Sequence, residues 1–232
     1  MTKKDLTDAA YVRGHFEALC NYLGVTEPAV VESEWAAIET AYAEPHRAYH
    51  TMAHIASLLR TAESFYVAEA DMPRMRAFII YHDFYYETAD MALFAQNENR
   101  SADRAARFLK AAGADDVFTA SVHSLIVATR THKVDNAIDP VGALAIDIDM
   151  MILASPQAEY DAYAKGIRRE FAHFSDDAFY TARLEKFLEP VLESERLFMT
   201  PRVHTYFTAQ ARSNIRREAG NIKLRFAGLK PL

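Results

Sequence analysis

The sequence predicts an all-α protein, and three observations carry the prediction. Apolar residues recur at helical intervals along almost the whole chain. Among 232 residues, Gly (7) and Pro (8) are scarce. Ala, Leu, Glu, Arg and Met, which favour helix, are plentiful. In chain order, the first helix carries Leu6, Ala9, Ala10, Val12, Phe16, Leu19, Tyr22 and Leu23 and stops at Gly24, a plausible C-cap. A second runs from about Pro28 to Tyr42. The third begins near Tyr49, with Ile55, Leu58, Leu59, Ala62, Phe65 and Tyr66 on one face, and the fourth holds Met75, Phe78, Ile79 and His82. Helices then follow from about Asn97 to Ala112, ending at Gly113, and from about Asp115 to His132. The stretch from Val141 to Ala154 is apolar nearly all round and is expected to be buried. Ser155 and Pro156 read as an N-cap followed by Pro at the first helical position. Asp176–Glu193 and Pro201–Glu218 complete the helices, and the tail 219–232 is weakly patterned. No repeat, low-complexity tract or Gly/Ser-rich linker interrupts the chain, so one domain over 1–232 is expected, with 172–218 as packing helices.

Composition narrows the function classes. With 50% hydrophobic and 25% charged residues the chain is of ordinary globular type. A formal charge of -6, from 26 Lys+Arg against 32 Asp+Glu, disfavours grip on a long nucleic-acid backbone. The N-terminal residues lack a signal-peptide pattern, and no apolar run approaches the ~18 residues that span a bilayer, so a cytoplasmic protein without a membrane partner is expected. Nine His stand beside one Cys, Cys20, so any metal must take nitrogen and oxygen ligands. Cys20 itself sits on the apolar face of the first helix and reads as core.

Four segments carry polar residues where a helix should point inward. His50 and His54 are spaced to share one helix face, and His54 leads into Leu58 and Ala62 on the core side. His82 and Asp83 lie on the buried edge of an apolar helix, and an inward Asp is costly unless it is bonded or ligates a metal. Asp147 and Asp149 diverge by about 200° on a straight helix, and periodicity does not choose between them. Thr129 and His132 share a face, whereas His123 and His132 fall on opposite faces unless the helix breaks between them. Opposite faces argue against a two-metal centre using both. No Gly-x-Gly-x-x-Gly, Walker A or Gly-x-Ser-x-Gly pattern is present. His15, His46, His173 and His204 fit no motif and read mostly as surface or capping residues.

A His on one helix, a His-Asp pair on the next and an Asp on a later helix form an ordered set. In that order, and in the segments around Arg47–Ile55, Tyr81–Tyr86, Asn97–Ala102, Ile126–His132, Asp147–Leu153 and Ile167–Phe171, the chain resembles the HD superfamily of metal-dependent phosphohydrolases, particularly its small bacterial members. The resemblance implies an orthogonal helical bundle of the HD type, with a motif core of about 43–171. It implies one divalent metal ion held by His54, His82, Asp83 and Asp149. Asp149 is preferred to Asp147 because the family's distal ligand usually precedes a Leu-containing apolar helix. The donor set suits Mn, Fe, Co, Ni or Zn, with Mg preferring more oxygen. The Tyr49-His50-Thr51-x-x-His54 run is similar to the cyclic-nucleotide phosphodiesterase signature, which makes His50 a candidate general acid.

Hydrolysis of a phosphoester in a nucleotide or other small phosphorylated metabolite is therefore the expected activity, with His50, Asp83 and His132 in the catalytic group. Arg47, Lys133 and Arg168 are the cations chosen for the substrate phosphate, and Glu87 and Glu98 are expected as supporting hydrogen-bond acceptors. Tyr85 and Tyr86 read as packing residues that could stack on a base. Two other readings fit less well: a non-catalytic metal- or nucleotide-binding module, and a di-metal oxygenase of HD type.

Overall fold

The computed structural model describes residues 3–229, and every regular element among them is helical. The last three residues of the expected tail lie outside the described residues. No single helix among the described residues is long and apolar enough to cross a membrane. The chain divides between Val134 and Asp135 into two compact units, although no flexible-linker composition marks the boundary.

The first unit contains α1 (Lys3–Tyr22), α2 (Pro28–Tyr42), α3 (Met52–Ser64), α4 (Met72–Tyr81), the single turn α5 (Met91–Phe94), α6 (Asn97–Ala111) and α7 (Asp116–Ala128). α1 packs on α3 and α4, and α7 packs on α6 and α4. The inward stripes supply Phe16 and Leu19, Trp35 and Ile38, Ile55 and Leu59, Phe78 and Ile79, and Leu109 and Ile126, all at 3% exposure or less. Burying each such side chain stabilises the unit by about 1.5–3 kcal/mol before ordering costs. The polar groups of this core are bonded to one another. Tyr42 Oη donates to the Ile80 carbonyl at 2.9 Å, Tyr81 Oη donates to Glu34 at 2.8 Å, and Arg104 donates to the same carboxylate at 2.5 Å. Gly24 and Gly113 terminate α1 and α6 in the left-handed region, at φ 74° and 85°.

Two boundaries in this unit differ from the sequence expectation, each for a local reason. α3 starts at Met52 because residues 49–51 form a tight turn, with the Thr51 N–H on the Tyr49 carbonyl at 2.8 Å, so His50 precedes the helix. α7 stops at Ala128. There the Thr129 and Thr131 hydroxyls take the Ile126 and Ala128 carbonyls, competing with the helical ladder. His132 then closes the end at φ 51°. His123 and His132 therefore do not share one helix. His123 instead pairs with Asp103 at 3.1 Å.

The second unit contains α8 (Pro140–Asp149), a 3-10 segment (Met150–Ala154), α9 (Gln157–Glu170), α10 (Asp176–Arg183), a π segment (Leu184–Leu188), α11 (Glu189–Glu193) and α12 (Pro201–Phe226). Ser155 does not cap α9; its hydroxyl donates to the Ile152 carbonyl at 2.8 Å. α12 runs eight residues beyond the expected Glu218 and packs on the 3-10 and π segments. Asn214 from α12 donates to the Leu153 and Ser155 carbonyls, which the 3-10 segment leaves over. Arg183, Glu218, Tyr160 and Tyr163 form a buried polar group, with Arg183 on Glu218 at 3.0 Å and Tyr160 on Glu218 at 2.5 Å.

His15 is another departure: it is buried at 8% exposure instead of lying at the surface. Its Nδ1 accepts from Arg76 at 3.3 Å and its Nε2 stands 3.5 Å from Glu63. Burial holds its pKa below the ordinary value, aided by Arg76 and opposed by Glu63. The folded state thus binds this proton less readily than the unfolded chain, whose His titrates near about 6.5. Stability should be intact above that pH and fall as pH drops below it, toward the lower folded value. Urea midpoints measured between about pH 5 and pH 8 should show that loss in the native protein and a flatter profile in His15→Gln.

Candidate metal centre

The first unit brings four of the expected site residues together. His54 sits in the first turn of α3, His82 caps the C-terminus of α4, Asp83 follows it, and His50 stands in the turn before α3. His54 Nε2 lies 3.4 Å from His82 Nε2. Asp83 Oδ2 lies 3.1 Å from His82 Nε2, 3.8 Å from His54 Nε2 and 3.9 Å from His50 Nε2. The His54 and His82 side chains are 2% and 1% exposed, whereas His50 and Asp83 are 17% and 21% exposed. Two imidazoles therefore form a buried floor, and a carboxylate and a third imidazole form the accessible rim.

One hydrogen bond orients the ligand atom of His82. Its Nδ1 lies 2.9 Å from the Ile79 carbonyl, which can only accept, so Nδ1 carries the proton and Nε2 is left with its lone pair. That Nε2 is the atom aimed at His54 and Asp83. A backbone carbonyl behind the non-ligating nitrogen is the usual support of a metal-binding His. The spacing also suits an ion. With metal–ligand distances of about 2.1 Å, neighbouring ligand atoms are about 3.4 Å apart in a tetrahedron and about 3.0 Å apart in an octahedron. The His54–His82 and His82–Asp83 separations match these edges. The Phe78 ring stacks on His82 and the Tyr86 ring covers His50, with centroids 5.3 and 4.1 Å apart.

The other expected site residues stand as follows. Arg47 is not a free cation for a phosphate. Its side chain is fully buried, and it donates to Glu44 and to the carbonyls of His50, Asp83 and Phe84. Arg168 lies in the second unit and is likewise engaged, by Asp176 and by the Phe171 and Phe174 carbonyls, so it braces the α9–α10 turn. Lys133 is exposed, next to the left-handed His132. Glu87 accepts from the N–H groups of Thr88, Ala89 and Asp90, and Glu98 pairs with Arg130; the first builds a turn and the second an ion pair. Tyr85 lies under Arg100, with the guanidinium carbon 4.2 Å from the ring centre. Cys20 is in the core, as expected.

The two distal aspartates have different surroundings within the second unit. Asp147 is 1% exposed, and its carboxylate accepts from the Met199 and Thr200 N–H groups and from the Thr200 hydroxyl, at 2.5–2.7 Å. It therefore anchors the start of α12, where a negative charge also suits the helix dipole. Asp149 ends α8 and is only half-buried. Asp147→Ala should lower stability by about 1–3 kcal/mol through the unbonded donors it leaves, read as a shift of the urea midpoint. Comparison of the chain with protein-family models, with curated proteins and with solved structures found no match.

Proposed function

We propose that the protein is a metal-dependent phosphohydrolase of HD type, acting on a nucleotide or another small phosphorylated metabolite. The observation that carries this reading is the His82 lock: a ring fixed through Nδ1, its Nε2 directed at His54 and Asp83 at ligand-to-ligand spacing. The ordered sequence resemblance supplies the reaction class, and it also assigns the fourth ligand to Asp149. A divalent ion bound here supplies Lewis acidity to a phosphoryl oxygen and makes water a stronger acid.

The chain's own residues divide the remaining work. His54 and His82 are buried, and the Ile79 carbonyl fixes the His82 ring. Asp83 contributes negative charge at the rim and stands 3.9 Å from His50. His50 stands at the accessible edge, where an imidazole in its protonated form can donate to a leaving oxygen. Tyr86 against the His50 ring limits where that donor can point. Lys133 is the exposed cation among those expected for substrate phosphate.

Metal analysis of the purified protein, with hydrolysis of a panel of nucleotides and generic phosphodiesters in Mn, Co, Ni, Zn or Mg, tests the reading. His82→Ala and Asp83→Ala should lose bound metal and lower kcat/KM by about 100-fold or more, the scale expected when a metal is removed from a phosphoryl site. His50→Gln should keep its metal and lower kcat by about 100-fold or more. Full metal content and full activity in His82→Ala and Asp83→Ala would sink the assignment. The deep burial of His54 and His82 also favours a second reading, a metal brace without catalysis. It predicts bound metal and a raised melting temperature with no turnover against the panel.

A further inference from the structure

We propose that Arg47 is the positioning residue of the metal centre: its buried guanidinium fixes the separation of the two backbone segments that carry His50 and Asp83. The proposal rests on the metal-binding reading above and adds a residue with no ligand atom of its own. The geometry is that of a clamp. Nη1 donates to the His50 carbonyl at 3.2 Å and to the Asp83 carbonyl at 2.8 Å, and Nη2 donates to the Phe84 carbonyl at 3.0 Å. Nε is held from the other side by Glu44 at 2.9 Å. One planar group thus bonds the segments at His50 and at Asp83–Phe84, which are distant in sequence.

Each partner matters to the site. The Asp83 and Phe84 carbonyls lie just past the C-terminus of α4, where no helical N–H remains to meet them. The His50 carbonyl belongs to the turn that precedes α3. Backbone position at those residues sets where the Asp83 carboxylate and the His50 ring fall over the His54–His82 floor. The guanidinium carbon also lies 5.0 and 5.5 Å from the centres of the Tyr42 and Tyr86 rings, and Tyr86 is the ring that covers His50. Lys in place of Arg keeps the charge but not the planar fork, so it cannot reach these acceptors in the same directions.

The test uses the full chain loaded with Co(II), whose visible absorption reports coordination geometry. The native protein should show a Co(II) band with saturable binding. Arg47→Lys, checked for folding by circular dichroism in the metal-free state, should shift that band and weaken Co(II) affinity by about 10-fold or more, the scale of lost support behind a metal ligand. A folded Arg47→Lys protein with the native band and affinity would overturn the proposal while leaving the metal reading intact. A native protein with no Co(II) binding would overturn both. If Arg47→Lys does not fold, Glu44→Ala decides. It removes the half-exposed acceptor that holds Arg47 Nε, and should shift the band in the same direction. A folded Glu44→Ala protein with native band and affinity overturns the proposal equally.

Discussion

In the first unit two imidazoles are brought nitrogen to nitrogen among buried residues, and the placement of α3 and α4 meets there. Lone pairs facing each other at 3.4 Å repel unless a proton or a cation lies between them, and burial removes the water that would otherwise screen them. The arrangement persists because the surrounding helices fix each ring independently. His82 closes α4 with its N–H on the Phe78 carbonyl and its Nδ1 on the Ile79 carbonyl, and Asp83 follows directly. The termination of a helix and the aim of a ligand atom are thus one structural event.

The second unit handles burial of charge differently. Arg183 is 9% exposed and its guanidinium is satisfied by Glu218 and by the Tyr163 hydroxyl, with the Phe187 ring lying against it. Breaking such a pair from one side leaves an uncompensated charge, which costs far more than the intact pair contributes. The π segment follows directly after Arg183, where the chain needs an extra residue in the turn. Asp147 plays a comparable part by joining α8 to the first residues of α12 across 53 positions of sequence.

What was legible in the sequence follows from range. Periodicity and end signals are local, so α2 falls on 28–42 as read, and Gly24 and Gly113 mark helix ends by their backbone freedom. The inward direction of His54, His82 and Cys20 was also legible, because each continues an apolar stripe. The end of α7 was not, since threonine hydroxyls taking backbone carbonyls leave no trace in an apolar pattern. Arg47 was read as a free cation because its acceptors are backbone carbonyls, which every residue has and no sequence pattern displays. His15 was read as surface for the same kind of reason: its partners come from two other helices.

The lone cysteine gives the first unit an internal reporter. Burial, with Glu34 and Glu17 nearby, pushes the Cys20 thiol up to about 11. At pH 8 only about one molecule in a thousand then carries the reactive thiolate. Cys20 is also 1% exposed, so an alkylating reagent reaches it only when α1 lifts from its neighbours. The rate of thiol labelling therefore times the opening of that helix, residue by residue at one chosen place, without any engineered probe.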